Sequence, residues 1–217
     1  MAFISMQGVS LSFGGVPIFD GIDLTVERRE RIGLVGRNGS GKSTLLQLIE
    51  GSVKPDSGAV SVQKGIHSAY LSQEVPHELP GTVFDVVASG SRECVDLTTR
   101  NPSQSARLLH EGTPPLDKEV NRIHDNLDME GVWYESEQVS KSLSQLGVDA
   151  GRAFSSLSAG LKRQVLLKRA LVGEPDILLL DEPTNHMAID SIKELEQMMV
   201  RLTGALIFVT HDRIFLQ

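Results

Sequence analysis

A chain of 217 residues, 40% apolar and 23% charged, is long enough for one α/β domain with a sizeable core and has the composition of a soluble globular protein. It contains no apolar run of the roughly 20 residues that cross a bilayer, its first seven residues lack the basic and apolar segments of a secretory signal, and its single cysteine, Cys94, excludes an internal disulfide; a cytoplasmic protein without direct membrane insertion is expected. The net charge of −7 is concentrated in residues 74–152, which hold 14 acids against 7 bases while the rest holds 14 of each, and this argues against broad nucleic-acid binding.

In chain order, Ala2 to Asp23 mixes short apolar runs with Gly14-Gly15 and Gly21, the pattern of antiparallel strands joined by turns. Ile22, Leu24 and Val26 alternate with Asp23, Thr25 and Glu27, as in a half-buried strand. Arg31–Val35 reads as a short buried strand, and the apolar run after Thr44 opens a helix. The turns at Lys54–Gly58 and Gln63–Gly65 bracket a strand pair, Ala59–Val62 and Ser68–Leu71. From Glu74 the character changes. Thr82-Val83-Phe84-Asp85 is a helix start with a capping acid, residues 101–115 carry breakers, and Leu116–Leu146 has the spacing of an amphipathic helical hairpin packed by Trp133 and Tyr134. From Leu157 the pattern alternates again: a helix from about Leu161 to Val172, the strand Ile177–Leu180, a helix from about Ile189 to Leu202, and the strand Ala205–Val209. Such alternation predicts a parallel sheet with ligands at the C-terminal edge of its strands. Residues 213–217 begin another element and stop, so the chain reads as truncated at its C-terminus.

The stretch that carries chemistry is Gly36-Arg37-Asn38-Gly39-Ser40-Gly41-Lys42-Ser43-Thr44, which fits the phosphate-binding P-loop pattern between a strand and a helix. Gly36, Gly39 and Gly41 let the loop curl so that backbone N–H groups face a phosphate chain at a helix N-terminus. Lys42 is expected to reach the outer phosphates and the Ser43 hydroxyl to hold Mg²⁺; Asn38, Ser40 and Thr44 complete the candidate nucleotide contact. The apolar strand ending in Asp181-Glu182-Pro183 matches a Walker B strand, with Asp181 supporting Mg²⁺ and Glu182 polarising the attacking water. In Leu157–Gln164, Ser158 and Gly160 stand just before a helix, where N–H groups and a hydroxyl bind an anion or simply cap the helix.

The ordered set of Gly36–Ser43, Gln73, Leu157–Gln164, Ile177–Glu182 and His211 resembles the ATP-binding cassette (ABC) ATPases over nearly the whole chain. That resemblance implies a P-loop NTPase fold of class α/β, with an antiparallel β subdomain and a helical insert: one ABC domain over 1–217, its core in 1–73 and 153–217 and its helical subdomain in 74–152. It also implies that ATP and Mg²⁺ sit between two cassettes, the P-loop of one facing the Ser158–Gly160 motif of the other. By the same resemblance Phe13 stacks on adenine, Gln73 contacts Mg²⁺ and senses the γ-phosphate, and His211 holds the γ-phosphate and orients water. Asp181-Glu182-Pro183-Thr184-Asn185-His186 is similar to the corresponding sequence of the ABC-F subfamily, soluble cassettes paired in one polypeptide, and the flanking residues resemble the first cassette of its Uup-like branch. Membership there implies a second cassette in the same polypeptide, a short arm-like hairpin at about 97–147, and a ribosome or rRNA partner.

Two departures stand out: Ala159 replaces a second glycine, and Met187-Ala188 replaces a Leu-Asp pair in the loop that meets the opposite cassette. The hydrolytic set of Lys42, Asp181, Glu182 and His211 is intact. The expected function is Mg²⁺-dependent ATP hydrolysis by a translation factor on the ribosome. The alternatives are the ATP-binding subunit of a membrane transporter and a regulator that binds ATP without turnover.

Overall fold

Four short strands, the two central ones wholly buried, define the frame of the molecule. In the computed structural model, which describes residues 2–76, 79–92, 138–144, 146–185, 187 and 189–210, these are β3 (Arg31–Leu34), β5 (Ser68–Leu71), β6 (Ile177–Asp181) and β7 (Ala205–Val209). They pair in parallel in the order β3-β7-β6-β5. β6 and β7, the two central strands, are buried at every position, as expected for a parallel sheet covered on both faces.

A second, antiparallel sheet runs β2-β1-β4, from β1 (Ala2–Phe13), β2 (Val16–Glu27) and β4 (Ser57–Val62). The Gly14-Gly15 turn joins β1 to β2 with both glycines at positive φ, a tight reversal that L-residues with side chains resist. Helix α1 (Lys42–Glu50) follows β3 and supplies Leu46, Leu48 and Ile49 to one apolar cluster with Ile4, Met6 and Val9 of β1, Ile177 and Leu179 of β6, and Ile207 and Val209 of β7. The two-residue period of the strands explains the membership: Ile177 and Leu179 face this cluster, while Leu178 and Leu180 are buried on the opposite face.

The structure corrects one expectation. β4 and β5 are not partners; β4 pairs antiparallel with β1, and β5 pairs parallel with β6. The reason lies at His67, whose N–H donates to the Asp176 carboxylate at 3.0 Å and whose carbonyl accepts from the Asp176 N–H at 2.8 Å. Those bonds clamp the start of β5 to the start of β6, so residues 63–67 connect two sheets and do not close a hairpin.

The described residues divide into two compact units. Both sheets, α1 and helix α4 (Ile189–Arg201) lie in the first, built from Met1–Pro76, Ser158–Arg163 and Glu174–Gln217. The second comprises His77–Leu157 and Gln164–Gly173. Helix α2 (Val83–Ala88) opens there with the expected cap: the Thr82 hydroxyl accepts from the Asp85 N–H at 3.2 Å, and the Asp85 carboxylate accepts from the Thr82 N–H at 2.7 Å. Backbone bonds from Val83 to Arg152 and from Phe154 to Gly81 tie the helix start to residues 150–154. Residues 138–144 are helical and bury Val139 and Leu143. Apart from 138–144 and 146–147, the arm-like hairpin expected at 97–147, with Trp133 and Tyr134, lies outside the described residues. Helix α3 (Ala159–Val172) begins in the first unit and continues in the second. No described helix is long and apolar enough to cross a membrane.

Candidate functional site

Parallel pairing brings the C-terminal ends of β3, β5, β6 and β7 to one edge of the sheet, and the predicted chemistry leaves from that edge. β3 runs into the loop Gly36–Gly41, β5 into Gln73, and β6 ends at Asp181. β7 leads through buried Thr210 toward His211, which lies outside the described residues.

The loop is coiled, exposed over Gly36–Ser40 and half-buried at Gly41, with Gly39 at φ 78° and Gly41 at φ 88°. Gly41 is the N-cap of α1 and has no side chain with which to cap it, so the N–H groups of the first turn remain available to an anion. Gly41 is required for a further reason: a Cβ there would lie 2.5 Å from Ile18 Cγ2 and 2.9 Å from Phe19 Cζ on β2. The antiparallel sheet thus presses directly on the head of the phosphate loop. Lys42 Nζ donates to the carbonyls of Gly36 and Arg37, each at 2.9 Å, which holds its ammonium across the loop. Ser43 and Thr44 follow, half-buried, in the first turn.

Ser43 meets β6. The Ser43 hydroxyl lies beside the Asp181 carboxylate and favours its charged form; that carboxylate is 1% exposed, and its Oδ1 atom has no hydrogen-bond partner among the described residues. Burial holds the Asp181 carboxyl above its usual range; the neighbouring Ser43 hydroxyl and the positive charges of Arg163 and Lys42 act downward, and Glu182 acts upward. A buried carboxylate oxygen left unsatisfied beside a hydroxyl, at the head of a phosphate loop, fits a hard dication with oxygen ligands such as Mg²⁺.

Glu182 follows the strand with φ 47°, a left-handed conformation that L-residues other than glycine and asparagine rarely adopt. Its N–H donates to the Val209 carbonyl of β7 at 3.0 Å, its half-buried carboxylate accepts from the Asn185 amide, and its carbonyl accepts from the Arg163 guanidinium at 2.6 Å. Local strain of this kind re-aims a side chain away from the direction the strand would give it.

The other predicted residues stand further out. Phe13 ends β1 at the hairpin tip and is 53% exposed. Ser158 begins α3, its carbonyl accepting from Lys162 and its hydroxyl from the Leu161 N–H, with Gly160 beside it. Neither Phe13 nor the Ser158–Gly160 turn shares a hydrogen bond with the phosphate loop among the described residues. The Gln73 side chain is exposed, and its carbonyl is bound by Arg163 at 2.7 Å. Of the two departures, Ala159 lies in the exposed turn that opens α3, Met187 donates its N–H to the Thr184 carbonyl, and Ala188 lies outside the described residues.

The sequence profile of the family described as "ABC transporter" matches residues 19–185. The chain belongs to the ABC family. The cassette is 38% identical to the ATP-binding protein Uup of Escherichia coli (strain K12) over its whole length, which spans 34% of that protein. It is 33% identical to the energy-dependent translational throttle protein EttA of Mycobacterium tuberculosis over 98% of the cassette and 38% of that protein. With the ABC transporter F family member 5 of Arabidopsis thaliana it shares 31% identity over 98% of the cassette and 32% of that relative. The cassette therefore spans about a third of the length of the curated relatives it matches. Among solved structures it superposes with a TM-score of 0.67 on a metal-chelate-type ABC transporter in an inward-facing conformation, at 22% identity, covering 99% of the cassette and 75% of that chain. The fold of cbiO1 from Clostridium perfringens, part of the cbiONQ complex, is also shared, with a TM-score of 0.62 at 22% identity, over 97% of the cassette and 79% of that chain.

Two residues of the cassette to which the sequence assigns no role stand close to the chemistry: Tyr70, outside every motif, and Arg163, inside Leu157–Gln164. Tyr70 of β5 stands beside Asp181, and burial, followed by the charges of Asp181 and Glu50, raises its phenol above the ordinary tyrosine range. Arg163, one turn into α3, is 1% exposed. The helical period marks it, because Arg163, Leu166, Leu167 and Ala170 share the i, i+3, i+4, i+7 stripe and all are buried. A cation on an apolar stripe has to find acceptors.

Proposed function

We propose that this cassette binds ATP and, with Mg²⁺, hydrolyses its γ-phosphate as the first cassette of an ABC-F-type ATPase that works on the ribosome. The observation that carries the hydrolytic reading is Glu182, a carboxylate held at a left-handed position immediately beyond a buried Asp181 that lies beside the Ser43 hydroxyl. A base set so close to the phosphate loop is suited to polarise a water for in-line attack on phosphorus, releasing ADP and inorganic phosphate.

The remaining roles follow from chemistry and position. The loop N–H groups and Lys42 hold the phosphates, with Asn38, Ser40 and Thr44 lining the same stretch; Phe13, exposed at its hairpin tip, stacks on the base. Ser43, Asp181 and Gln73 would hold Mg²⁺, which when bound offsets negative charge on the phosphates. Ser158 and Gly160, at the start of α3, serve the nucleotide of an opposing cassette, and His211 contacts the γ-phosphate. The relatives are about three times as long as this chain, which leaves room for a second cassette in the same polypeptide. The translational role rests on the similarity to EttA, and the subfamily reading on that to Uup and to the F-family relative.

The test uses full-length protein carrying Glu182→Gln. Phosphate release should fall by at least about a hundredfold while ATP binding persists, and the ATP-bound variant should co-sediment with ribosomes. Wild-type hydrolysis by the variant would remove Glu182 from the mechanism. Co-purification with a multi-span membrane protein, with no ribosome binding, would transfer the cassette to a transporter.

A further inference from the structure

Arg163 lies in the first unit with Gln73 and Glu182, and its contacts account for every donor it has. Nε donates to the Pro183 carbonyl at 3.2 Å. Nη1 donates to the carbonyls of Ser72 at 3.5 Å and Gln73 at 2.7 Å. Nη2 donates to those of Asp181 at 2.8 Å and Glu182 at 2.6 Å. Five N–H groups meet five backbone carbonyls, with no carboxylate among them. Burial lowers the guanidinium's pKa and the nearby charges of Asp181 and Glu182 oppose that shift, but arginine stays charged in any case.

The geometry of the carbonyls matters more than their number. In an extended strand successive carbonyls point to opposite sides, yet those of Asp181, Glu182 and Pro183 converge on one planar group. They converge because the chain turns over at Glu182, at φ 47°. The guanidinium offers the oxygens of this turn a buried cation, so it favours a conformation that glutamate otherwise avoids. Its other edge holds Ser72 and Gln73, where the chain leaves β5, the strand next to β6.

We infer that Arg163 is a positioning residue for hydrolysis: its guanidinium holds the strained backbone of Glu182 and fastens that backbone to the Gln73 segment, so that the base and the segment at the γ-phosphate side move as one piece. The inference rests on the proposed role of Glu182 and deepens it. Lysine cannot substitute, because three N–H donors on one nitrogen cannot span the exits of two strands.

The experiment compares Arg163→Lys and Arg163→Gln with wild type, alone and combined with Glu182→Gln, in full-length protein. Circular dichroism checks folding, equilibrium titration measures ATP binding, and phosphate release gives kcat and KM. Both single variants should fold and bind ATP within about threefold of wild type while kcat falls by up to about a hundredfold, as a displacement near 1 Å would produce. In the Glu182→Gln background the same substitutions should change the residual rate by less than about twofold, since the group being positioned is gone. A near-wild-type kcat for Arg163→Lys would overturn the inference. So would equal loss in both backgrounds, loss that tracks weakened ATP binding, or failure of both variants to fold, each of which makes Arg163 structural only. If Glu182→Gln alone leaves hydrolysis intact, the reading of Glu182 fails, and that result is separate from any outcome at Arg163.

Discussion

Gly41 shows how little freedom a single position in the phosphate loop has. Its φ of 88° costs any L-residue about 1–2 kcal/mol, and an added Cβ would drive into Ile18 and Phe19 of β2. Gly41→Ala should therefore weaken binding of a fluorescent ATP analogue at least about tenfold and lower the melting temperature. Gly39→Ala is the control, for it shares the positive φ, but its Cβ would meet nothing within 4 Å. Equal losses in the two variants would show that backbone strain alone sets the effect and that contact with β2 contributes nothing. Asp181 is the complementary case, a buried carboxylate with one oxygen unsatisfied among the described residues. Arg163, inside the Leu157–Gln164 motif, and Tyr70, outside every motif, stand beside the chemistry without a role read from the sequence. Arg163 was open to discovery from its place on an apolar stripe. Tyr70 was not, since its approach to Asp181 depends on β5 lying beside β6.

At the scale of elements, the antiparallel sheet is held to a narrow design at Gly58. A Cβ there would stand 2.3 Å from the Gly8 carbonyl oxygen and 2.6 Å from that of Gln7. Both partners are backbone, so neither can swing aside, and φ is 83°. Gly58→Ala should destabilise the protein by about 2 kcal/mol or more, seen as a lower urea midpoint. An unchanged midpoint would mean that β1 and β4 can separate at this point without cost. Element type was legible for these described segments: β6 and β7 were predicted from their apolar runs, α3 and α4 from the segments between, and the start of α2 from Thr82 and Asp85. Partnership was less so. The turn residues at 63–65 are compatible with a hairpin, and the ladder from Ser68 to Leu71 against β6, begun by the His67–Asp176 bonds, places β5 in the parallel sheet.

For the whole molecule, the expected composite site makes concentration the informative variable. Ser158 and Gly160 are required by an opposing cassette in the proposed mechanism, so the 217-residue chain alone should bind ATP and turn it over slowly. Turnover per chain should rise with protein concentration as cassettes pair. A steady-state phosphate-release series over a hundredfold range of concentration checks this; robust turnover independent of concentration would show that one cassette suffices. The acidic bias of residues 74–152 adds that any ribosome contact made by this segment should be selective, with little affinity for naked RNA.

The sequence by itself determined the family, the phosphate loop, the strand carrying Asp181 and Glu182, and the order of α and β elements. These are local properties, encoded in spacing, glycine placement and hydrophobic period over a few residues. Only the tertiary structure decided which strands adjoin, that β2 abuts Gly41, that Glu182 is left-handed, and that Arg163 gathers five carbonyls from two strand exits. Each of these joins residues far apart in the chain, and no local pattern records which distant backbone oxygens a buried guanidinium will find.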